Sequence, residues 1–293
     1  MARTTATTTA RRALRREVPS TVGILADQQD FAAMRDRYPS FPFDDHTTYL
    51  HHVEGLLTTL ATRGGHTTVA LFDPEDYEEY CAETGLDPDT PTSRSRFTAE
   101  IAATGACLPY TGQPVEQLVP LLVHRAVRQA TWEYATMLLT DIGQCADCGQ
   151  DIGRSAFDQA SRTLTRLLEE AGPGSHHLVL SVPADEQLLA ALHAERPPTG
   201  PAVLDPTEGA EFATVLAAGI ALESPGGLVL RTTTPAAPDR VHGWRLDRGR
   251  LVPLTAAEVF NAYCTDATTG EPLPPEPGVD YRAGFDLPQD DHH

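Results

Sequence analysis

The feature that most constrains the fold of this chain is a long apolar repeat between Gln113 and Ala171. Apolar residues recur there every three or four positions, which places them on one stripe of a helix that must pack against other elements. In the first half they are Val115, Val119, Leu122, Ala126, Ala130, Tyr134, Met137 and Ile142. In the second half they are Ala156, Phe157, Ala160, Leu164, Leu167 and Leu168. The repeat predicts two amphipathic helices, the first ended by Gly143.

A Cys-x2-Cys motif lies between these two predicted helices. Cys145 and Cys148 are separated by two residues, and Gly149 follows directly. This spacing lets two thiolates bind one tetrahedral zinc ion, and glycine permits the tight backbone after them. The motif is therefore compatible with half of a structural zinc (Zn2+) site in a turn between the helices, which is a weak signal on its own.

A structural zinc site needs four ligands, and the chain has no second Cys-x2-Cys motif. We expect the missing ligands to come from residues such as Cys107, His176 and His177. Two other interpretations stay open: the cysteines are reduced and inert, or they form a redox pair. The acidic Asp147 between them disfavours the thiolate that redox chemistry needs.

Composition indicates a folded protein of the cytoplasm. The chain has 293 residues, of which 41% are hydrophobic, enough for one large domain or two. All 22 basic side chains are Arg, which indicates the codon usage of a high-GC bacterium. No apolar run is long enough to cross a membrane, and no secretory signal is recognisable. Five cysteines, an odd number, suit a reducing compartment.

The strongly acidic charge is explained first by a solvated acidic surface and, as an alternative, by basic partners or cations. The formal net charge is −19, although residues 1–17 contain five Arg and one Glu. So acidic a body repels nucleic acid and anionic lipid, and it favours basic partners or cations. We expect an unidentified protein partner and no membrane. Nucleic acid is an alternative partner, because the five Arg residues of the N-terminal arm can bind its phosphates without sequence specificity.

Local signals along the chain predict strands, helix starts and one hairpin. Strands are predicted at 66–72, 106–110, 176–182 and 228–233, and a hairpin at 241–254. Helix starts are indicated by Asp73-Pro74, Thr90-Pro91, Asp205-Pro206 and the Thr255/Glu258 capping box. Leu188, Leu189 and Leu192 indicate a further helix over 184–195.

These elements predict an α/β or α+β fold in which mixed sheets are flanked by helices, with a long central helix pair joined by the Cys-x2-Cys turn. We expect a disordered basic arm over 1–20 and an N-terminal α/β unit over 21–112. The central helices and a C-terminal α/β unit are expected over 113–270, and an extended, acidic, Pro-rich tail over 271–293.

For function, the leading hypothesis is a cytoplasmic binding or regulatory protein stabilised by a structural zinc. It leads because the common catalytic motifs are missing from the sequence. One alternative is a metal-assisted or Cys/His-based hydrolase or transferase, with Cys107 as a nucleophile. The other is a nucleic-acid-associated protein that uses the Arg arm, with Trp244 and the surrounding Arg residues as a second contact.

Overall fold

The computed structural model describes residues 20–62, 66–146, 148–235, 237–266 and 268–287. The chain divides into two compact units, Met1–Gln129 and Ala130–His293, and each unit has its own sheet and apolar core. Helices and mixed sheets confirm the predicted α/β class. Residues 1–19 of the predicted basic arm lie outside the described residues. The boundaries predicted at 112 and 270 stay predictions.

Unit 1 combines a three-stranded sheet with helices. Its elements are β1 (Ser20–Ile24), α1 (Gln28–Arg37), α2 (His46–Thr62), β2 (Thr67–Leu71), α3 (Pro74–Thr84), α4 (Pro91–Thr104) and β3 (Cys107–Pro109). The strand order is β1-β2-β3, with β1 parallel and β3 antiparallel to β2. The predicted strand near Pro109 is therefore confirmed, and it lies at the edge of the sheet.

The helix starts of unit 1 follow from local chemistry. The Asp73 carboxylate accepts hydrogen bonds from the N–H groups of Glu75 and Asp76, and Pro74 occupies the first turn, where no N–H is needed. Thr90 caps α4 in the same way through the N–H of Ser93. These two predicted starts are confirmed.

The helix α5 (Val115–Asp141) is continuous through Pro120. Its first turns bury Val115, Leu118 and Leu122 in the core of unit 1, whereas Ala135 belongs to the core of unit 2. Met137 of the predicted stripe is 49% exposed. The predicted stripe therefore does not describe the whole helix, because one of its members is exposed.

Unit 2 is built on a seven-stranded sheet. Its elements after α5 are α6 (Ile152–Ala171), β4 (Gly174–Pro183), β5 (Gln187–Arg196), β6 (Val203–Leu204), α7 (Pro206–Ala221), β7 (Gly226–Thr233), β8 (Asp239–Asp247), β9 (Arg250–Pro253), α8 (Ala256–Tyr263) and β10 (Val279–Ala283). The strand order is β10-β8-β7-β4-β5-β6, and β9 pairs with β8.

The helices α6 and α7 cover one face of this sheet. Leu164 and Leu167 of α6 and Phe212 of α7 form one buried cluster with Leu178 and Leu180 of β4. The predicted apolar side of α6 is confirmed, except that Phe157 is 36% exposed. On the other face, α8 packs on β8 and β10. Helix α8 begins with the predicted capping box between Thr255 and Glu258.

The helix predicted over 184–195 is wrong, because residues 187–196 form β5. Leu188, Ala190, Leu192 and Ala194 are buried in alternation, which is the pattern of a strand with one covered face. Pairing with β4 along the whole strand overrides the helix propensity of this Ala- and Leu-rich segment.

The C-terminal strands combine one local hairpin with one long-range pairing. The predicted hairpin is confirmed as β8 and β9, and Arg248 and Gly249 at its turn have φ values of 47° and 72°. The tail contributes β10, which pairs in parallel with β8. In the described part of the chain, no helix has the length and apolar character needed to cross a bilayer.

Candidate functional site

The Cys-x2-Cys motif lies in the short connection between α5 and α6. Gln144 and Asp151 form an antiparallel bridge, and the N–H of Cys145 donates to the carbonyl of Gln150 at 2.8 Å. The N–H of Gly149 donates to the carbonyl of Cys145, also at 2.8 Å. Gly149 has a φ of 70°, the left-handed conformation expected after the second cysteine. We call residues 144–151 the cysteine loop.

Both thiols of the cysteine loop are near the surface. Cys145 is half-buried, Cys148 is exposed, and neither forms a disulfide. Asp147, between them, lies outside the described residues. Among the residues that are described, no group of three or more His, Cys, Asp and Glu side chains is arranged to hold a metal ion.

The other predicted zinc ligands are placed in different environments. Cys107 belongs to unit 1, and its thiol lies 3.8 Å from the carbonyl oxygen of Ile101. His176 is buried, with Nδ1 3.0 Å from Thr232 Oγ1 and Nε2 3.0 Å from the carbonyl oxygen of Gly172. Both of its ring nitrogens therefore have protein partners, so His176 is a structural histidine of the core.

His177 points to the opposite side of the sheet from His176, because neighbouring residues of a strand alternate. This second side is open over β7, β4 and β5, whereas the first is packed against α6 and α7. We call this surface the open face. Its residues are His177, Val179, Ser181, Leu189, Ala191, His193, Val229 and Arg231.

An apolar row crosses the open face. Val179 of β4 stands opposite Ala191 of β5 and Val229 of β7. Directly opposed side chains of neighbouring strands touch, so these three form a continuous apolar patch. Leu189, two residues before Ala191 on β5, is 55% exposed and extends the patch. Val179, Ala191 and Val229 are half-buried, so the patch is partly accessible, and accessible apolar patches are typical of interaction surfaces.

A row of nitrogen-bearing side chains runs beside the apolar row. His177 stands opposite His193 on one side and Arg231 on the other, and the two imidazole rings stack with centroids 4.5 Å apart. Burial lowers the pKa of His177, and the nearby His193 and Arg231 lower it further. The His177 ring is therefore neutral near neutral pH.

Arg231 is the fixed cation of the open face. Its guanidinium donates to Glu276 at 2.6 Å and to Asp239 at 3.3 Å. The hydrogen bond to Glu276 raises the pKa of Arg231 and lowers the pKa of the Glu276 carboxyl. These carboxylates hold Arg231 in place and offset its charge.

The open face ends at a strand edge that is only partly paired. β5 pairs with β4 along its whole length but with β6 only at Ala194 and Glu195. The N–H of His193 points outward, because it donates to Glu208 Oε2 at 3.4 Å. Leu189 and Ala191 share this orientation, since the direction alternates along a strand. Within the described ranges, no strand pairs with them on that side.

Unit 1 has a separate cleft between β3 and α5. Its volume is about 380 Å³, and its lining includes Leu108, Leu121, His124, Arg125 and Arg128. Cationic and apolar side chains together can hold a small anion that carries an apolar group.

The residues expected to support the alternative functions lie in unfavourable places. Burial raises the pKa of the Cys107 thiol, which is the opposite of what an activated nucleophile needs. Trp244 is fully buried, and its indole N–H donates to the carbonyl of Phe285 at 3.0 Å. Trp244 is therefore a core residue and is not available as a surface contact for nucleic acid.

Comparison with known proteins gives one partial match. Residues 9–113 are similar to a family described as Domain of unknown function (DUF8829). No curated protein and no solved structure matches the chain. The matched segment ends before α5, so the open face and the cysteine loop both lie outside it.

The open face was not predicted from the sequence. The alternation in β4 was visible and would have separated His176 from His177. The approach of His177 to His193 and Arg231, however, depends on the register of three strands, one of which had been predicted as a helix.

Proposed function

We propose that this protein binds an extended, basic segment of a partner protein on the open face and along the adjoining edge of β5. The observation that carries the proposal is the half-buried apolar row, extended by the exposed Leu189, beside the edge of β5, where no described strand pairs with Leu189 or Ala191 on the outer side. A segment added as a further strand would use its backbone to bond the edge and its apolar side chains to cover the row.

The edge provides backbone groups for such a segment. The outward N–H and C=O groups of Leu189 and Ala191 can pair with an incoming strand as β4 pairs on the other side. The two-residue strand β6 limits the pairing at one end, next to Glu195. The docking position is therefore about five residues long, near the usual length of a strand.

Charge favours a basic partner. The whole chain carries −19, and Glu186, Glu195 and Glu208 lie around the edge of β5. Arg231 does not oppose a cation strongly, because Glu276 and Asp239 neutralise it. Attraction to a basic segment would accelerate encounter and would weaken with added salt.

The proposal keeps the binding or regulatory class and places it in the cytoplasm of a high-GC bacterium. None of the five cysteines forms a disulfide, which agrees with a reducing compartment. The hydrolase or transferase and the nucleic-acid alternatives have less support, since Cys107 and Trp244 do not have the environments that those functions require.

Binding of two synthetic peptides tests the proposal. One peptide alternates Arg with Val, the other alternates Glu with Val, and both carry a fluorophore for polarisation measurements with the full chain. We expect the Arg peptide to bind, with an affinity that falls as salt is raised, and the Glu peptide not to bind. Equal binding of both peptides, or of neither, would refute the proposal.

Two substitutions locate the binding. Val179→Asp places a charge in the apolar row, and Ala191→Pro removes one outward N–H from the edge without removing a bond to β4. Each should weaken binding of the Arg peptide about tenfold or more. Leu222→Asp is the matched control, because Leu222 is an exposed apolar residue of the same unit and lies outside the open face. Far-UV circular dichroism verifies that each variant is folded.

A further inference from the structure

We infer that the cysteine loop is half of a zinc site that a second copy of the chain completes. The inference is independent of the proposed peptide binding, because it uses different residues of unit 2. Cys145 and Cys148 of two copies would supply four thiolates to one tetrahedral Zn2+ ion.

The backbone of the cysteine loop is shaped for two neighbouring ligands. Two hydrogen bonds of 2.8 Å tie Cys145 to Gly149 and Gln150, and the bridge between Gln144 and Asp151 closes the base. The left-handed Gly149 reverses the chain immediately after Cys148. Both sulfur atoms therefore belong to one closed turn. Because the turn is already closed, little further conformational entropy is lost when both bind one ion.

Among the described residues, those predicted from the sequence as further ligands do not form a metal-binding group with the two thiols. His176 has partners at both ring nitrogens, and the Cys107 thiol lies 3.8 Å from the carbonyl oxygen of Ile101. Cys81 and Cys264 are buried. In the parts of the chain that the structure covers, no third ligand joins the pair. Two thiolates satisfy only half of a zinc ion, so a site built on this loop needs further ligands.

A second copy meets this need through symmetry. In a two-fold dimer the same surface of both copies meets at the axis, so an ion on the axis receives Cys145 and Cys148 twice. The loop is accessible for this contact, because Gln144, Ala146, Cys148 and Gln150 are all exposed. Two chains of charge −19 repel each other, so we expect the metal to be required for the dimer.

Zinc content and molar mass together test the inference. The tag-free full chain is incubated with excess zinc chloride under reducing conditions at about 0.15 M ionic strength, then freed of unbound metal. We expect one zinc per two chains by atomic emission and twice the monomer mass by light scattering. A chelator should return a zinc-free monomer. No bound zinc, one zinc per single chain, or a dimer that survives chelation would each overturn the inference.

Variants identify the ligands. Cys145→Ser with Cys148→Ser should lose both the zinc and the dimer, while Cys107→Ser, the matched control, should keep both. His292→Ala with His293→Ala should also keep both; loss of zinc in that variant would assign the remaining ligands to the same chain and overturn the shared site. Substitution of Co2+ for zinc gives an independent measurement, since its absorption spectrum distinguishes four thiolates from a mixture with imidazole.

Discussion

The imidazole rings of His177 and His193 lie face to face across β4 and β5, with centroids 4.5 Å apart and planes 17° apart. This contact suits neutral rings, because two protonated imidazoles at such a distance repel each other. Burial and the neighbouring His193 and Arg231 accordingly lower the pKa of His177 below its ordinary value of 6.5. Protonation of His177 at low pH therefore disfavours this stacked arrangement on the open face.

We expect unit 2 to become less stable as pH falls below about 6.5. Since the pKa of His177 is lower in the folded chain, the unfolded chain takes up the proton first, and acid shifts the equilibrium toward unfolding. His177→Gln should reduce the slope of the unfolding free energy between about pH 7 and pH 5. Urea unfolding at several pH values, followed by far-UV circular dichroism, measures the slope.

In His177→Gln a smaller dependence of the unfolding free energy on pH should persist, because burial also lowers the pKa values of His176 and His242. The control is His66→Gln, which changes an exposed residue of unit 1 and should leave the slope of unit 2 unchanged. An identical slope in wild type and His177→Gln would show that the stacked pair does not respond to pH.

His176 should matter for stability and not for metal binding. His176→Leu leaves Thr232 Oγ1 and the Gly172 carbonyl without their partner in the core, which costs about 1–3 kcal/mol of unfolding free energy. Urea unfolding measures this loss, and atomic emission should find the zinc content unchanged. An equal loss from His177→Leu, at a partly exposed position, would contradict the structural role of His176.

Gly153 permits close packing between the end of α5 and the start of α6. A Cβ atom at this position would overlap the carbonyl oxygen of Leu139. Gly153→Ala should therefore lower the unfolding free energy by about 1–3 kcal/mol, because the backbone at Leu139 would have to move to make room for the methyl group. Gly55→Ala is the matched control within a helix: its Cβ meets nothing within 4 Å, so it should stabilise by about 0.5–1 kcal/mol. Stabilisation by both substitutions would disprove the close packing.

Asp30 destabilises unit 1 at neutral pH. Burial and the neighbouring Asp27, Asp73 and Glu75 raise its pKa to about 6. A folded-state pKa above that of the unfolded chain means that the ionised form disfavours folding at pH 7 and that protonation relieves the penalty. Asp30→Asn should raise the melting temperature at pH 7.5.

The benefit of Asp30→Asn should shrink as pH falls through about 6 and disappear only below about pH 3, where the wild-type carboxyl is protonated in both the folded and the unfolded state. Differential scanning calorimetry across this range measures the change. Asp36→Asn is the control, because Asp36 is exposed and paired with Arg35, and such surface pairs contribute about 1 kcal/mol or less. A benefit that is constant with pH would rule out the ionisation as its cause.

The sequence predicted those elements whose causes lie within a few residues. Asp73-Pro74, Asp205-Pro206 and the Thr255/Glu258 box each start a helix, because a cap and a first-turn residue act over one turn. The hairpin turn at Arg248-Gly249 is equally local. Signals of this kind do not depend on the rest of the fold.

Elements set by distant partners were missed. β1 pairs in parallel with β2, and β10 pairs in parallel with β8. The paired strands are distant in sequence, so no local turn motif predicts these pairings. The β5 segment has the composition of a helix, and only its pairing with β4 makes it a strand. The open face depends on that pairing, because Ala191 and His193 reach Val179 and His177 only in this register.

The position of β10 has a consequence for biosynthesis. β10 pairs with β8, and Phe285 just beyond it accepts the indole N–H of Trp244 and packs against its ring at 4.9 Å. A ribosome releases these residues after every other strand of the sheet. Until they emerge, the nascent chain presents an unpaired edge at residues 239–243 of β8 and an unsatisfied tryptophan, so the sheet reaches its final form only after β10 and Phe285 have been synthesised.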